Sequence, residues 1–156
     1  MFIFLKRKIS WFEGGLVSFF FFMMFYLFGV SAGSHTEPIG LIDIVGIFLF
    51  LSGSYINSLA DYQRFAWKRE IENKGRLYTK GLFKYSMHIN YFGESVLYVG
   101  LALITLELVC LFVSIGIILN FIVLQIPMFD KYLSKKYGDE LEEYAKQTKK
   151  FIPLVY

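Results

Sequence analysis

Apolar residues in this chain come in long runs rather than in the short alternations of a water-soluble fold. A first run extends from about Gly14 to Val30 and contains Phe19-Phe-Phe-Phe-Met-Met-Phe25. A second extends from about Ile39 to Leu59. A third lies within Tyr91 to Pro127; at roughly 1.5 Å per helical residue it is too long for one crossing of a bilayer core about 30 Å thick. It reads as a tight helical hairpin turning between Thr105 and Ser114, with Glu107 near the turn and able to reach the interface. The pattern predicts an all-α integral membrane protein with about four transmembrane helices in one membrane domain, residues 1–156. Beyond the last run, Tyr132, Leu133, Tyr137, Leu141 and Tyr144 recur at helical spacing among alternating charges from Asp130 to Lys150. That spacing predicts a cytoplasmic amphipathic C-terminal helix lying along the interface, ended by Pro153.

Charge tests this layout. Lys6, Arg7 and Lys8 precede the first run. Seven cations (Arg64, Lys68, Arg69, Lys74, Arg76, Lys80, Lys84) lie between the second and third, and six (Lys131, Lys135, Lys136, Lys146, Lys149, Lys150) follow the fourth. These groups account for all 16 Lys and Arg residues; none falls in the short loop 31–38 or at the hairpin turn. Four crossings with both termini in the cytoplasm satisfy the positive-inside rule, whereas three or five would misplace one cluster. The expected setting is multi-pass, in a bacterial inner membrane or the endoplasmic reticulum. The hydrophobic share of 56% exceeds that of an ordinary soluble domain. A competing reading takes Lys6-Arg-Lys8, the first run and Val30-Ser-Ala32 as a cleaved signal peptide. The run is long and Phe-rich for that, so retention as a first helix is preferred. Cys110, the lone cysteine, lies in an apolar run and reads as buried packing.

Soluble-enzyme motifs are absent: no P-loop, no glycine-rich dinucleotide turn and no nucleophile elbow. His35 and His88, the only histidines, fall on opposite sides of the expected membrane, which argues against a histidine-based metal cluster. The basic loop carries no nucleic-acid motif and fits attraction to a membrane surface. What remains is a polar cluster at the cytoplasmic end of the bundle. Asn57 and Asp61 share one face of the second helix, and Asn90 and Glu94 share one face of the third, continued by Tyr98. Between them lies the cationic loop with Tyr78 and Tyr85. Carboxylates and amides suit ribose hydroxyls and a carboxamide; Lys and Arg suit phosphates. A large polyanionic cofactor could be gripped here with its reactive end in the bilayer. A purely structural reading stands beside this one: Asp61 paired with Arg64, Asn90 capping the third helix, and Glu94 an early-turn acid favoured by the helix dipole.

The residues Ile56-Asn57, Asp61, Lys68, Gly75, Tyr78, Gly81-Leu-Phe-Lys-Tyr85, Asn90-Tyr-Phe-Gly-Glu94 and Gly100 resemble the C-terminal domain of steroid 5-alpha-reductases and related bacterial membrane proteins. The tail Tyr137, Tyr144, Phe151-Ile-Pro153 is similar to their closing helix, so the likeness covers about residues 40–156. It implies NADPH-binding roles for Asn57, Asp61, Asn90, Glu94 and Tyr137, with Lys68, Arg76, Tyr78 and Tyr91 as further candidates. It implies reduction of a conjugated double bond in a lipid or sterol-like enone. A second branch, the isoprenylcysteine carboxyl and phospholipid methyltransferases, uses an Arg-His-Pro motif in binding S-adenosylmethionine. Here Met87-His88-Ile89 stands in its place, with His88 alone retained. Steroid 5-alpha-reductases carry further N-terminal helices that supply proton donors, whereas one helix precedes residue 40 here. A partner chain, self-association or altered chemistry would complete the substrate side, and a non-catalytic membrane interaction protein is the third reading.

Overall fold

The structure, a computed structural model, describes residues 11–34 and 38–155. All described elements are helical. The chain divides into two compact units between Glu37 and Pro38. The first contains α1, Trp11–Ser34, whose Phe19, Phe20, Phe22 and Phe25 are all exposed. Such a helix suits hydrocarbon rather than water. The N-terminal cations and His35 lie outside the described residues.

The second unit begins with α2, Leu41–Arg69. Asp43 stabilises its start: a carboxylate oxygen accepts the Gly40 backbone N–H at 2.8 Å, filling the reciprocal half of a capping box. The helix runs ten residues past Leu59, where the apolar run ends. Arg64, Lys68 and Arg69 are therefore helical rather than part of the loop expected there. The polar residues Asp61, Gln63 and Arg64 end the hydrophobic pattern without ending the helix, because their propensities differ little from those of the apolar residues before them. Two 3-10 turns follow, Ile71–Asn73 and Gly81–Lys84, and then α3, Ile89–Thr105.

The expected hairpin is present. Leu106 adopts a left-handed conformation (φ 52°), Glu107 is extended, and α4 begins at Leu108. α4 (Leu108–Asn120) passes through a π-helical turn, Phe121–Gln125, into α5, Ile126–Tyr137. In that turn the Ile126 N–H bonds the Phe121 carbonyl five residues back. Pro127, which cannot donate, follows at once, so the wide turn absorbs the break a proline makes in an α-helical ladder. Gly138 (φ 50°) separates α5 from α6, Asp139–Gln147. The tail is thus two helices, and residues 130–137 complete a long one. α6 buries Leu141 and Tyr144 and exposes Asp139, Glu140, Glu142 and Glu143.

Three described helical segments are long and apolar enough to cross a membrane: 14–33, 41–69 and 108–137. α3 is apolar but shorter, 17 residues. Cys110 is fully buried and free.

α2 and α3 pack backbone against backbone through four glycines. A Cβ on Gly46 would lie 2.9 Å from the Gly100 carbonyl oxygen, and one on Gly53 would lie 2.5 Å from that of Gly93. A Cβ on Gly100 would meet the Gly46 carbonyl at 2.6 Å, and one on Gly93 the Asn57 backbone nitrogen at 2.8 Å. Each pair is seven residues apart, two helical turns, so the antiparallel seam holds over both contacts. Gly116 on α4 has nothing within 4 Å of its would-be Cβ. Gly100→Ala is expected to destabilise the protein in detergent by about 1–3 kcal/mol through overpacking, while Gly116→Ala is neutral or mildly stabilising. Thermal unfolding of the two variants checks this; equal midpoints would contradict the contact.

Candidate functional site

The glycine seam sets the position of the polar residues on α2 and α3. Gly93 lies between Asn90 and Glu94 in the chain, and its backbone faces that of Asn57. Asn57, Asn90 and Glu94 are each half-buried. One turn beyond Asn57, Asp61 binds the Arg64 guanidinium at 2.6 Å. The Arg64 side chain is only 13% exposed and lies 5.3 Å over the Phe83 ring. The structural pairing admitted for Asp61 is therefore formed, but within α2 rather than at its end. Asn90 occupies the second position of α3, not the cap, which is His88.

Tyr91 precedes Glu94 on α3 by three residues and is buried, whereas Glu94 is half-buried. On α3, Asn90 and Glu94 flank the Gly93 backbone that meets Asn57, so polar residues of both helices border this contact. Glu94 forms no ion pair with a described residue. The Tyr91 ring is 4% exposed and is held between parallel neighbours, Phe121 at 5.0 Å and His88 at 5.8 Å.

A second group lies about 10 Å further along α2, seven residues at helical rise. Lys68 reaches the Tyr137 hydroxyl at 3.4 Å and lies 5.9 Å from its ring centroid; Lys136 covers the same ring at 5.0 Å. Beside Lys68 in the chain, Trp67 packs on Tyr78 at 5.2 Å, and Tyr78 packs edge-on to Phe83 at 5.5 Å. Burial pushes the Tyr78 hydroxyl above its ordinary pKa. The loop that carries these rings is fixed from both sides. Gln63 accepts the Leu82 N–H at 3.0 Å, close to Gly81, whose φ of +60° favours glycine. From α6, Glu140 accepts the Leu77 N–H at 3.2 Å, and the Tyr144 hydroxyl donates to the Phe83 carbonyl at 2.5 Å. Burial raises the Tyr144 pKa as well. Arg76 is exposed on this loop, two residues before Tyr78.

His88 faces elsewhere. It is 1% exposed, and its Nε2 lies 2.7 Å from one Asp130 carboxylate oxygen. The other Asp130 oxygen takes Lys150 Nζ at 2.8 Å. This bridge closes a clasp between the start of α3 and the chain end. Met87 N–H donates to the Lys149 carbonyl at 2.8 Å and His88 N–H to that of Lys150 at 3.1 Å. The Ser86 hydroxyl donates to the Phe151 carbonyl at 2.8 Å. Phe151 is buried with Tyr91, Phe121 and Ile126.

Of the residues predicted from sequence, the structure gathers Asn57, Asp61, Asn90, Tyr91 and Glu94 at the seam. Lys68, Tyr78 and Tyr137 lie along the same helix end, and His88 is engaged by Asp130. Sequence reasoning had the Asp61–Arg64 pair but missed Asp130 and Lys150 as the partners of His88, and the glycines that bring the helices together. The glycines had a readable signal in their paired seven-residue spacing. Asp130 had none, being 42 residues from His88.

A family model described as a protein of unknown function, DUF1295, matches residues 6–150. The chain belongs to this family. No curated protein matches it.

Asp130→Asn is expected to loosen the clasp locally, since loss of a charged partner of a buried group costs about 1–3 kcal/mol. Hydrogen exchange at the Met87 and His88 amides should accelerate, while amides in mid-α3 remain protected. Unchanged exchange at both positions would show that the carboxylate does not hold the tail.

Proposed function

We propose that this chain is a membrane reductase of the steroid 5-alpha-reductase type. In this reading it holds NADPH at the cytoplasmic end of α2 and α3 and reduces a conjugated double bond in a lipid or sterol-like enone. The observation that carries it is the backbone contact of Gly93 with Asn57, which sets half-buried Asn90 and Glu94 of α3 against Asn57 of α2, with the Asp61–Arg64 pair one turn on. An acid at the mouth of a membrane helix is costly to keep and marks function by default.

The donor set fits the cofactor's chemistry. Asn57, Asp61, Asn90 and Glu94 offer the carboxylates and amides that suit a carboxamide and ribose hydroxyls. Lys68, about 10 Å along α2, with exposed Arg76 nearer the loop, offers charge for phosphates. When bound, NADPH supplies the hydride that adds to the β carbon of the enone, and a proton at the α carbon completes the saturated ketone. The chain's own contribution is orientation and electrostatics. The seam fixes the backbone beneath Asn90 and Glu94, and His88 and Phe121 hold the Tyr91 ring. In this reading α1, α2, α3 and α4–α5 make four crossings with both termini in the cytoplasm.

Titration of the full chain in detergent tests the assignment. NADPH should bind, and Glu94→Gln should weaken it roughly tenfold or more, as loss of a charged hydrogen bond does. Binding of S-adenosylmethionine without NADPH would make the chain a methyltransferase instead. Wild-type binding after joint loss of Asn90 and Glu94 would favour a non-catalytic interaction protein.

A further inference from the structure

A groove of about 580 Å³ lies between α5, α6 and the C-terminal segment, away from the α2–α3 seam. Its size falls in the range of ligand sites. The floor and walls include Met87, Leu141, Ala145 and Val155, so most of the surface is apolar. The polar rim includes Asp130, Lys131, Glu142, Lys149 and Lys150.

We propose that this groove binds one anionic phospholipid, with its phosphate between Lys131 and Lys149 and acyl chain along Met87, Leu141 and Ala145. The charges favour an anion. Asp130 is already neutralised by Lys150 at 2.8 Å and contacts His88. Lys131 and Lys149 form no ion pair with a described residue, and Glu142 contributes the opposing charge. The apolar lining favours a lipid over free phosphate, which would leave it uncovered. The location favours a bilayer source. α5 ends the apolar segment 108–137, and Ile152, Leu154 and Val155 are exposed next to the lysines. Apolar side chains flanked by lysines are what a headgroup region accommodates. No residue of the seam takes part, so the proposal stands or falls independently of cofactor binding.

Tail-labelled phosphatidylglycerol titrated against the full chain in neutral detergent micelles, read by fluorescence polarisation, tests it. Saturable binding is expected. The double variant Lys131→Gln/Lys149→Gln should weaken it by roughly tenfold, given the contribution of a basic residue at an anionic surface. Glu142→Gln should tighten it, a change that misfolding would not produce. Millimolar inorganic phosphate should not compete, and phosphatidylcholine with the same label should bind at least several-fold more weakly. Unchanged affinity in the lysine double variant, equal binding of phosphatidylcholine, or displacement by inorganic phosphate would overturn the proposal.

Discussion

The rest of the second unit depends on the close approach of α2 and α3. Gly46 and Gly53 on one helix and Gly93 and Gly100 on the other bring carbonyl oxygens to where side chains would otherwise stand. In a lipid-like surrounding there is little hydrophobic drive between two apolar helices, so close packing must supply the attraction. The price of the arrangement is the helix-weakening effect of four glycines. Its consequence is precise placement: the polar residues one turn beyond Gly53 meet those flanking Gly93. A wider spacing with alanines would separate Asn57 from Gly93 and the residues flanking it, Asn90 and Glu94.

A second set of contacts fixes what lies beyond the seam. The clasp of His88, Asp130 and Lys150 holds the chain end against the start of α3, and it stacks His88 on Tyr91. His88 thus serves the packing of its neighbour Tyr91. α6 meanwhile grips the basic loop through Glu140 and Tyr144. The loop is therefore anchored by buried Tyr78 and Phe83, and its cations project from a fixed frame.

The apolar runs were legible because hydrocarbon-facing helices need no alternation. The hairpin turn fell within the expected window because an apolar run from Tyr91 to Pro127 is too long for one straight crossing. The reach of α2 to Arg69 was not legible: hydrophobicity ends at Leu59, but helix propensity does not. The seam residues Asn57, Asp61, Asn90 and Glu94 could be placed on shared faces from their four-residue spacing alone. Their meeting across two helices required the glycines, whose seven-residue period was present but unread. The His88–Asp130 contact was hidden, since nothing local links residues 42 positions apart. The reading of residues 130–150 as one helix failed at Gly138, whose positive φ separates α5 from α6.

The central claim, that the end of α2 is a nicotinamide dinucleotide site, is tested most directly by energy transfer from Trp67. This residue sits between the seam and Lys68, and the chain has only one other tryptophan, Trp11. Exciting tryptophan in the NADPH-saturated protein should give sensitised nicotinamide emission that Trp67→Phe removes while binding persists. Absence of sensitised emission at saturating NADPH, or emission unchanged in Trp67→Phe, would contradict the account.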